Sequence, residues 1–152
     1  MLTYIDLPEG QGDEVETPPR LFEAIGARWN VTWDAAATPD NSLCGQVADC
    51  LKVDWRAIVG PCGTVFMNMP YSDPAPFLAA AQHYSELGVS TVALVKADHS
   101  TSWWRSYVEG HIIMRLQHRV RFFYKGQPLK HVAAFPSVLV FYDGGLLETA
   151  WR

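Results

Sequence analysis

TVFMNMPYSDPAPFLAAAQHYSELG, Thr64 to Gly88, holds three kinds of pattern in a row, and their order decides the fold. Gly63 to Asn68 is a short apolar run bounded by turn residues, which reads as a buried strand. MPYSDP after it is turn chemistry, stiffened by Pro70 and Pro74. From Ala75 to Leu87, Phe77, Leu78, Ala81 and Tyr84 recur at helical spacing, and Gly88 closes the segment. A buried strand running through a polar loop into a helix is the repeating unit of an α/β sheet covered by helices.

The flanks extend that unit. Upstream, TPPRLFEAIGARW predicts a helix over about 18–28, with Thr17 as its N-cap, prolines in its first turn, and Leu21, Phe22, Ile25 and Trp29 on one face. NVTWDAAA then reads as a short strand ending in an acidic loop at Asp34, and TPDNSLC as a turn. Downstream, STVALVKA is a second buried-type strand and STSWWRSYVEG a short helix. IIMRL and VRFFY read as strands, KGQP as a turn, and SVLVFYDGG as a last strand with a glycine stop. Residues 1–16, rich in Gly, Asp and Glu, read as a loose N-terminal arm, leaving 17–152 as a single domain. In such sheets ligands sit at the carboxyl ends of strands, and Asp34 and Asn68 both fall there.

At 152 residues with 49% apolar content, the chain has room for one sizeable core and no second domain. Its longest apolar runs are too short to span a bilayer, so no membrane is expected. The start, MLTYIDLPEG, shows no basic-then-apolar leader, which makes the cytoplasm the expected compartment. Cys44, Cys50 and Cys62 are odd in number and lack a C-x-x-C pair, so they read as reduced, partly buried thiols, with no metal site. The net charge of -4 hides an asymmetry. Residues 1–60 carry a net -6, whereas Trp103 to His131 carries +5 through Arg105, Arg115, Arg119, Arg121, Lys125 and Lys130 against Glu109. A basic segment on an acidic body fits a nucleic-acid face and equally fits a solvated hairpin surface.

The loop after Asn68 has a specific chemical capacity. An Asn side-chain oxygen and the next backbone carbonyl, held by a following proline, offer two acceptors for the two hydrogens of an exocyclic amine. An adjacent Tyr face can stack on the heterocycle that bears it. Such a grip frees the nitrogen lone pair for in-line attack on an electrophilic methyl group without a covalent enzyme intermediate. In isolation, a plain strand-to-helix turn is the commoner source of such a tetrad.

Several motifs in order sharpen the choice. TPPRLF matches a TPxxLF pattern, DAAATPDNSLC a DxAAsxxNxxC loop, and NMPYS an NPPYS loop; VALVKADHSTSWW, RLQHRVRFF and SVLVFY follow at the expected spacing. From about Thr17 to Tyr142 the chain resembles the small phage-type, Dam-like DNA adenine methyltransferases. The resemblance implies a Rossmann-like methyltransferase core, a mixed sheet with helices on both faces. It also implies S-adenosylmethionine as methyl donor and the 6-amino group of a flipped adenine in double-stranded DNA as acceptor. Carried over by position, Thr17, Pro18, Asp34, Ala35 and Asp49 match residues near the cofactor. Asn68, Met69, Pro70 and Tyr71 match the catalytic loop.

Met69 departs from the pattern, which has a proline there. The backbone carbonyl is kept and rigidity is lost, at about 0.5–1 kcal/mol of loop ordering. Since about 1.4 kcal/mol is only tenfold in rate, the expectation is a slower or retuned enzyme. The remaining residues read two ways. Arg115, Arg119, Arg121 and Lys125 suit phosphate contacts or a charged edge. Trp103 and Trp104 suit a base pocket, or more often a core. His99, His118 and His131 receive no role, and Asp98 is a minor candidate. An amine clamp does not name its base, so cytosine amino-methylation, an RNA target, and a lapsed homologue that only binds DNA or a partner stand as alternatives.

Overall fold

The computed structural model describes residues 3–38, 42–45, 48–60 and 63–145. Its first helix, α1 (Pro19–Trp29), begins at two prolines, where the missing N–H costs nothing and φ is already helical. It ends at Asn30 with φ 51°, the left-handed position that Asn tolerates after a helix. Pro18, and not Thr17, occupies the cap position, and the Thr17 hydroxyl is turned to a different task.

Beyond α1 come β1 (Val31–Asp34), α2 (Trp55–Val59), β2 (Thr64–Met67), α3 (Ala75–Glu86) and β3 (Ser90–Lys96). These are followed by α4 (Ser102–Tyr107), β4 (Ile112–Arg115), β5 (Phe123–Tyr124), β6 (Gln127–Pro128) and β7 (Ser137–Tyr142). The strand–loop–helix unit read from Thr64 to Gly88 is present with its boundaries shifted by about one residue. Helix α2 is an addition, opened by the Asp54 carboxylate, which accepts the Arg56 N–H.

Five strands form one mixed sheet in the order β1-β2-β3-β7-β4. β1, β2 and β3 run parallel, and β7 lies antiparallel between β3 and β4. β2, β3 and β7 are buried almost throughout because both faces are covered. The pleat sends Val65 and Met67 to one face and Phe66 to the other. On the first face they meet Trp55 and Val59 of α2, Leu78 and Ala81 of α3, and Trp104 of α4. On the second, Phe66 packs with Ile25 of α1 and with Val120 and Phe122. Each such fully buried side chain contributes roughly 1.5–3 kcal/mol of transfer free energy.

Two expectations need correction. VRFFY is not a sheet strand: only Phe123 and Tyr124 pair, with Gln127 and Pro128, in a separate hairpin. Lys125 and Gly126 turn that hairpin with φ 47° and 78°, the two positive values a tight two-residue hairpin turn requires. Ahead of it, residues 119–122 cross the second face of the sheet so that Val120 and Phe122 are buried there. Nor does the N-terminal arm hang loose. Ile5 bridges to Leu129 and Glu16 to Phe123, the latter with backbone bonds of 2.7 and 3.0 Å. Residues 3–16 thus strap the hairpin to the body. Among the described residues, no helix is long and apolar enough to cross a membrane.

Candidate active site

Because β1 and β2 are parallel neighbours, their carboxyl ends emerge side by side, and the Ala35 N–H extends the ladder by donating to the Phe66 carbonyl at 2.9 Å. Asp34 therefore stands beside the start of the Asn68 loop. Its carboxylate is buried and accepts the Leu43 N–H at 3.2 Å, while its own N–H donates to the Cys44 carbonyl at 3.1 Å. Gly45 permits this tight return: its φ is +76°, and a Cβ there would lie 2.7 Å from the Thr32 carbonyl oxygen. Burial pushes the Asp34 carboxyl up to about 6, against the downward pull of the Leu43 bond. No cationic side chain pairs with it among the described residues.

Asn68 follows β2 directly. Its side-chain nitrogen donates to the Thr17 hydroxyl at 3.0 Å, and its side-chain oxygen accepts from the Tyr71 hydroxyl at 3.0 Å. The amide is held between two hydroxyls, with its oxygen facing Tyr71 in the loop. Burial pushes the Tyr71 hydroxyl well above the usual phenol range, so it remains a proton donor. The Tyr71 ring packs against Phe122 and Phe135, with centroids at 5.8 and 5.3 Å. Thr17, Asp34 and Asn68, with Val15, Glu16, Ala36 and Ala37, surround a recess of about 20 Å³. That is room for about one water.

Met69 has a place the sequence did not suggest. Its side chain is 2% exposed and belongs to the core on the first face, among the residues packed around Leu78 and Trp104. The residue that replaces the patterned proline thus exchanges backbone stiffness for burial.

The other candidates divide. Pro18 and Ala35 flank this junction, the first at the cap of α1 and the second buried after β1. Asp49 is exposed and spends its carboxylate locally, on the Leu51 N–H at 3.1 Å and on Lys52 at 3.6 Å; among the described residues, no contact brings it to Asp34 or Asn68. The Arg121 guanidinium donates to the Leu129 and Lys130 carbonyls at 2.7 and 2.6 Å, and that of Arg119 donates to those of Ala133 and Ala134. Both therefore brace the 129–134 segment. Arg115, at the end of β4, and Lys125, at the hairpin tip, are exposed. Trp104 is core and Trp103 half-buried against it. His99 packs on Trp104, and Asp98 caps its own turn through Ser100. Cys44 and Cys50 are free thiols, whereas Cys62 lies outside the described residues, as do positions 39–41 of the acidic loop.

Two features escaped the sequence reading. Asp13, on the arm, accepts from both the N–H and the hydroxyl of Ser72. Beside Tyr71 opens a cavity of about 480 Å³, walled by Phe122, Phe135, Leu129 and, from the arm, Ile5 and Val15. Neither has a local sequence signal, since each joins segments distant in the chain. Among the described residues, no group of three or more His, Cys, Asp or Glu is placed to hold a metal ion.

Residues 5–144 match the family model described as DNA N-6-adenine-methyltransferase (Dam). The DNA N-6-adenine-methyltransferase of Escherichia phage T1 is 31% identical over 102 residues, covering 64% of this chain and 41% of that protein. The chain thus spans less than half the length of that curated relative. No solved structure matches it.

Proposed function

The chain belongs to the DNA N-6-adenine-methyltransferase (Dam) family, and from that premise we propose that it methylates the 6-amino group of adenine in double-stranded DNA, with S-adenosylmethionine as donor. The observation that carries this reading is the convergence of Thr17, Asp34 and Asn68 at the paired ends of β1 and β2. The order of the five-stranded sheet, with one antiparallel strand placed between β3 and β4, is compatible with a Rossmann-like methyltransferase core.

The residues present suit the donor chemically. S-adenosylmethionine carries positive charge on its ammonium and sulfonium groups, and Asp34 is a buried carboxylate with no cationic partner among the described residues. A cation placed there would favour the ionised form that burial now opposes. Thr17, Ala36 and Ala37 line the recess beside Asp34. The recess of about 20 Å³ must widen to admit the donor. When bound, the cofactor supplies the electrophilic methyl group.

The chain's own work is to hold the amine. The Asn68 side-chain oxygen, already oriented by Thr17 and Tyr71, keeps a lone pair for one amine hydrogen, and the Met69 carbonyl takes the other. Both acceptors stabilise the positive charge that develops on nitrogen during transfer. Pro70 disfavours the α region for Met69 and so narrows its backbone freedom. Tyr71, with Phe122 and Phe135, offers aromatic surface for an adenine turned out of the duplex. Arg115 and Lys125 are exposed cations of this segment suited to phosphate contacts, and Arg119 and Arg121 keep further N–H groups for the same purpose.

Incubating the purified protein with duplex DNA and S-adenosylmethionine, then digesting to nucleosides for mass spectrometry, tests the reading. Methyladenine is expected. Methylcytosine would reassign the base, and transfer to RNA alone would reassign the polymer. Intact cofactor binding without any methylated base would mark a lapsed enzyme.

A further inference from the structure

The loop from Asn68 to Ser72 is held at both ends by the segment that leads into α1. At one end Asn68 donates to Thr17 at 3.0 Å. At the other, Asp13, in the 3₁₀ turn Gly12–Glu14, accepts the Ser72 N–H at 3.0 Å and the Ser72 hydroxyl. Between these two anchors lie Met69, whose carbonyl is one of the two proposed acceptors, and Tyr71.

Asp13 is itself fixed in place. The arm before it is tied to the hairpin through Ile5, whose N–H donates to the Pro128 carbonyl at 3.0 Å and whose carbonyl accepts the Lys130 N–H at 2.8 Å. After it, Glu16 exchanges two backbone bonds with Phe123, and its carboxylate accepts the Gly126 N–H at 2.9 Å. A carboxylate mounted on a segment bound at both sides is a rigid acceptor. The two Ser72 bonds also hold its carboxyl below the usual carboxylate range.

A loop with a proline at position 69 would be stiff by covalent constraint, since the ring fixes φ. Here that constraint is missing, and rigidity has to come from non-covalent anchors. We propose that Asp13 is a positioning residue for methyl transfer: by gripping Ser72 it sets the Met69 carbonyl and Tyr71 for the amine. This rests on the methyltransferase reading above.

The test combines Asp13→Ala, Asp13→Asn, Ser72→Ala and the Asp13→Ala/Ser72→Ala double variant. Each is measured for single-turnover methylation rate, cofactor affinity by titration calorimetry, and thermal midpoint. Asp13→Ala is expected to slow transfer by roughly tenfold, the factor that about one hydrogen-bonded anchor commands. Its cofactor affinity should stay within twofold of wild type and its fold intact at the assay temperature. Asp13→Asn, which keeps an oxygen for the Ser72 N–H, should recover part of the rate. The double variant should be no slower than Asp13→Ala, which already removes both Ser72 bonds, whereas Ser72→Ala removes only the hydroxyl one. A wild-type rate in Asp13→Ala, or additive losses in the double variant, would overturn the proposal. A wild-type protein that methylates no adenine would fail the methyltransferase reading itself and take this proposal with it.

Discussion

Asn68 and Thr17 stand 51 positions apart in the chain, yet the Asn68 side-chain nitrogen donates to the Thr17 hydroxyl at 3.0 Å. With the Tyr71 hydroxyl on the amide oxygen, the amide is pinned from both sides. Neither of the contacts is an ornament of the fold. Thr17 gives up capping α1 to make its bond, and the result is an oriented acceptor at the end of β2.

Thr17→Val should therefore slow methylation more than it unfolds the protein. Valine keeps the shape but leaves a part-buried amide N–H without its acceptor, a loss of about 1 kcal/mol. The expected rate loss is roughly five- to tenfold. Thr17→Ser retains the hydroxyl and should stay near wild type. Parallel rate assays and circular-dichroism melts separate the two effects, and equal rates for Val and Ser would contradict the role given to the hydroxyl.

Met69→Pro is expected to lower the thermal midpoint. Truncating a buried Met to Ala costs about 2–5 kcal/mol, and the proline ring refills only part of that space. A loop-entropy gain of about 0.5–1 kcal/mol offsets part of the loss. Net destabilisation on the order of 1–2 kcal/mol lowers the midpoint by a few degrees in a chain of this size. Met69→Leu conserves volume and should cost less than about 1.5 kcal/mol. A higher midpoint for the proline variant would show that the Met69 side chain adds nothing to the core.

Asp34 gives the protein a pH signature. Its folded-state value, raised from the ordinary 3.8 to about 6 by burial, means that the folded protein holds this proton more tightly than the unfolded chain does. The group's contribution to stability is thus full below about 4 and is lost as pH rises through about 6, on the order of 2–3 kcal/mol in all. Denaturant titrations between pH 4 and 7 should show this loss in the wild type relative to Asp34→Asn. Binding of a cationic cofactor should strengthen as pH rises through the same window. Below pH 6 it should release a proton, which calorimetry in buffers of different ionisation enthalpy detects.

The basic segment separates into braces and contacts. Arg121→Ala removes two charge-assisted bonds to the Leu129 and Lys130 carbonyls and should destabilise by about 1–2 kcal/mol. Lys125→Ala, at the exposed hairpin tip, should leave the midpoint nearly unchanged, within about 0.5 kcal/mol. It should instead weaken duplex DNA binding and reduce the salt slope by about one. Anisotropy titrations across a salt series distinguish the two variants.

These contrasts mark what was legible in the chain. TVFMN, STVALVK and SVLVFY announced buried strands because both faces of the sheet are covered, and LFEAIGARW announced a helix through its single apolar face. The strand ends at Asp34 and Asn68 could be located because polar residues interrupt apolar runs there. The insertion of β7 between β3 and β4 is a long-range pairing with no local imprint. VRFFY alternates as a strand does, but its alternation buries Val120 and Phe122 against a sheet face and brings them into no ladder of the main sheet. The arm was opaque for the same reason: Asp13 and Glu16 look solvated in sequence and gain meaning only from Ser72 and Phe123. Met69 looked like a lost proline because a sequence does not say which way a loop side chain points.

Whether Asn68 grips the acceptor amine is decided by single-turnover methyl transfer from S-adenosylmethionine to duplex DNA by wild type and Asn68→Ala. Product nucleosides are read by mass spectrometry, and cofactor affinity is measured on the same samples. The wild type should form 6-methyladenine, and Asn68→Ala should bind cofactor within a few-fold of wild type yet transfer at least about 100-fold more slowly, the loss typical of removing one such group. An Asn68→Ala protein that methylates adenine at the wild-type rate would contradict the account.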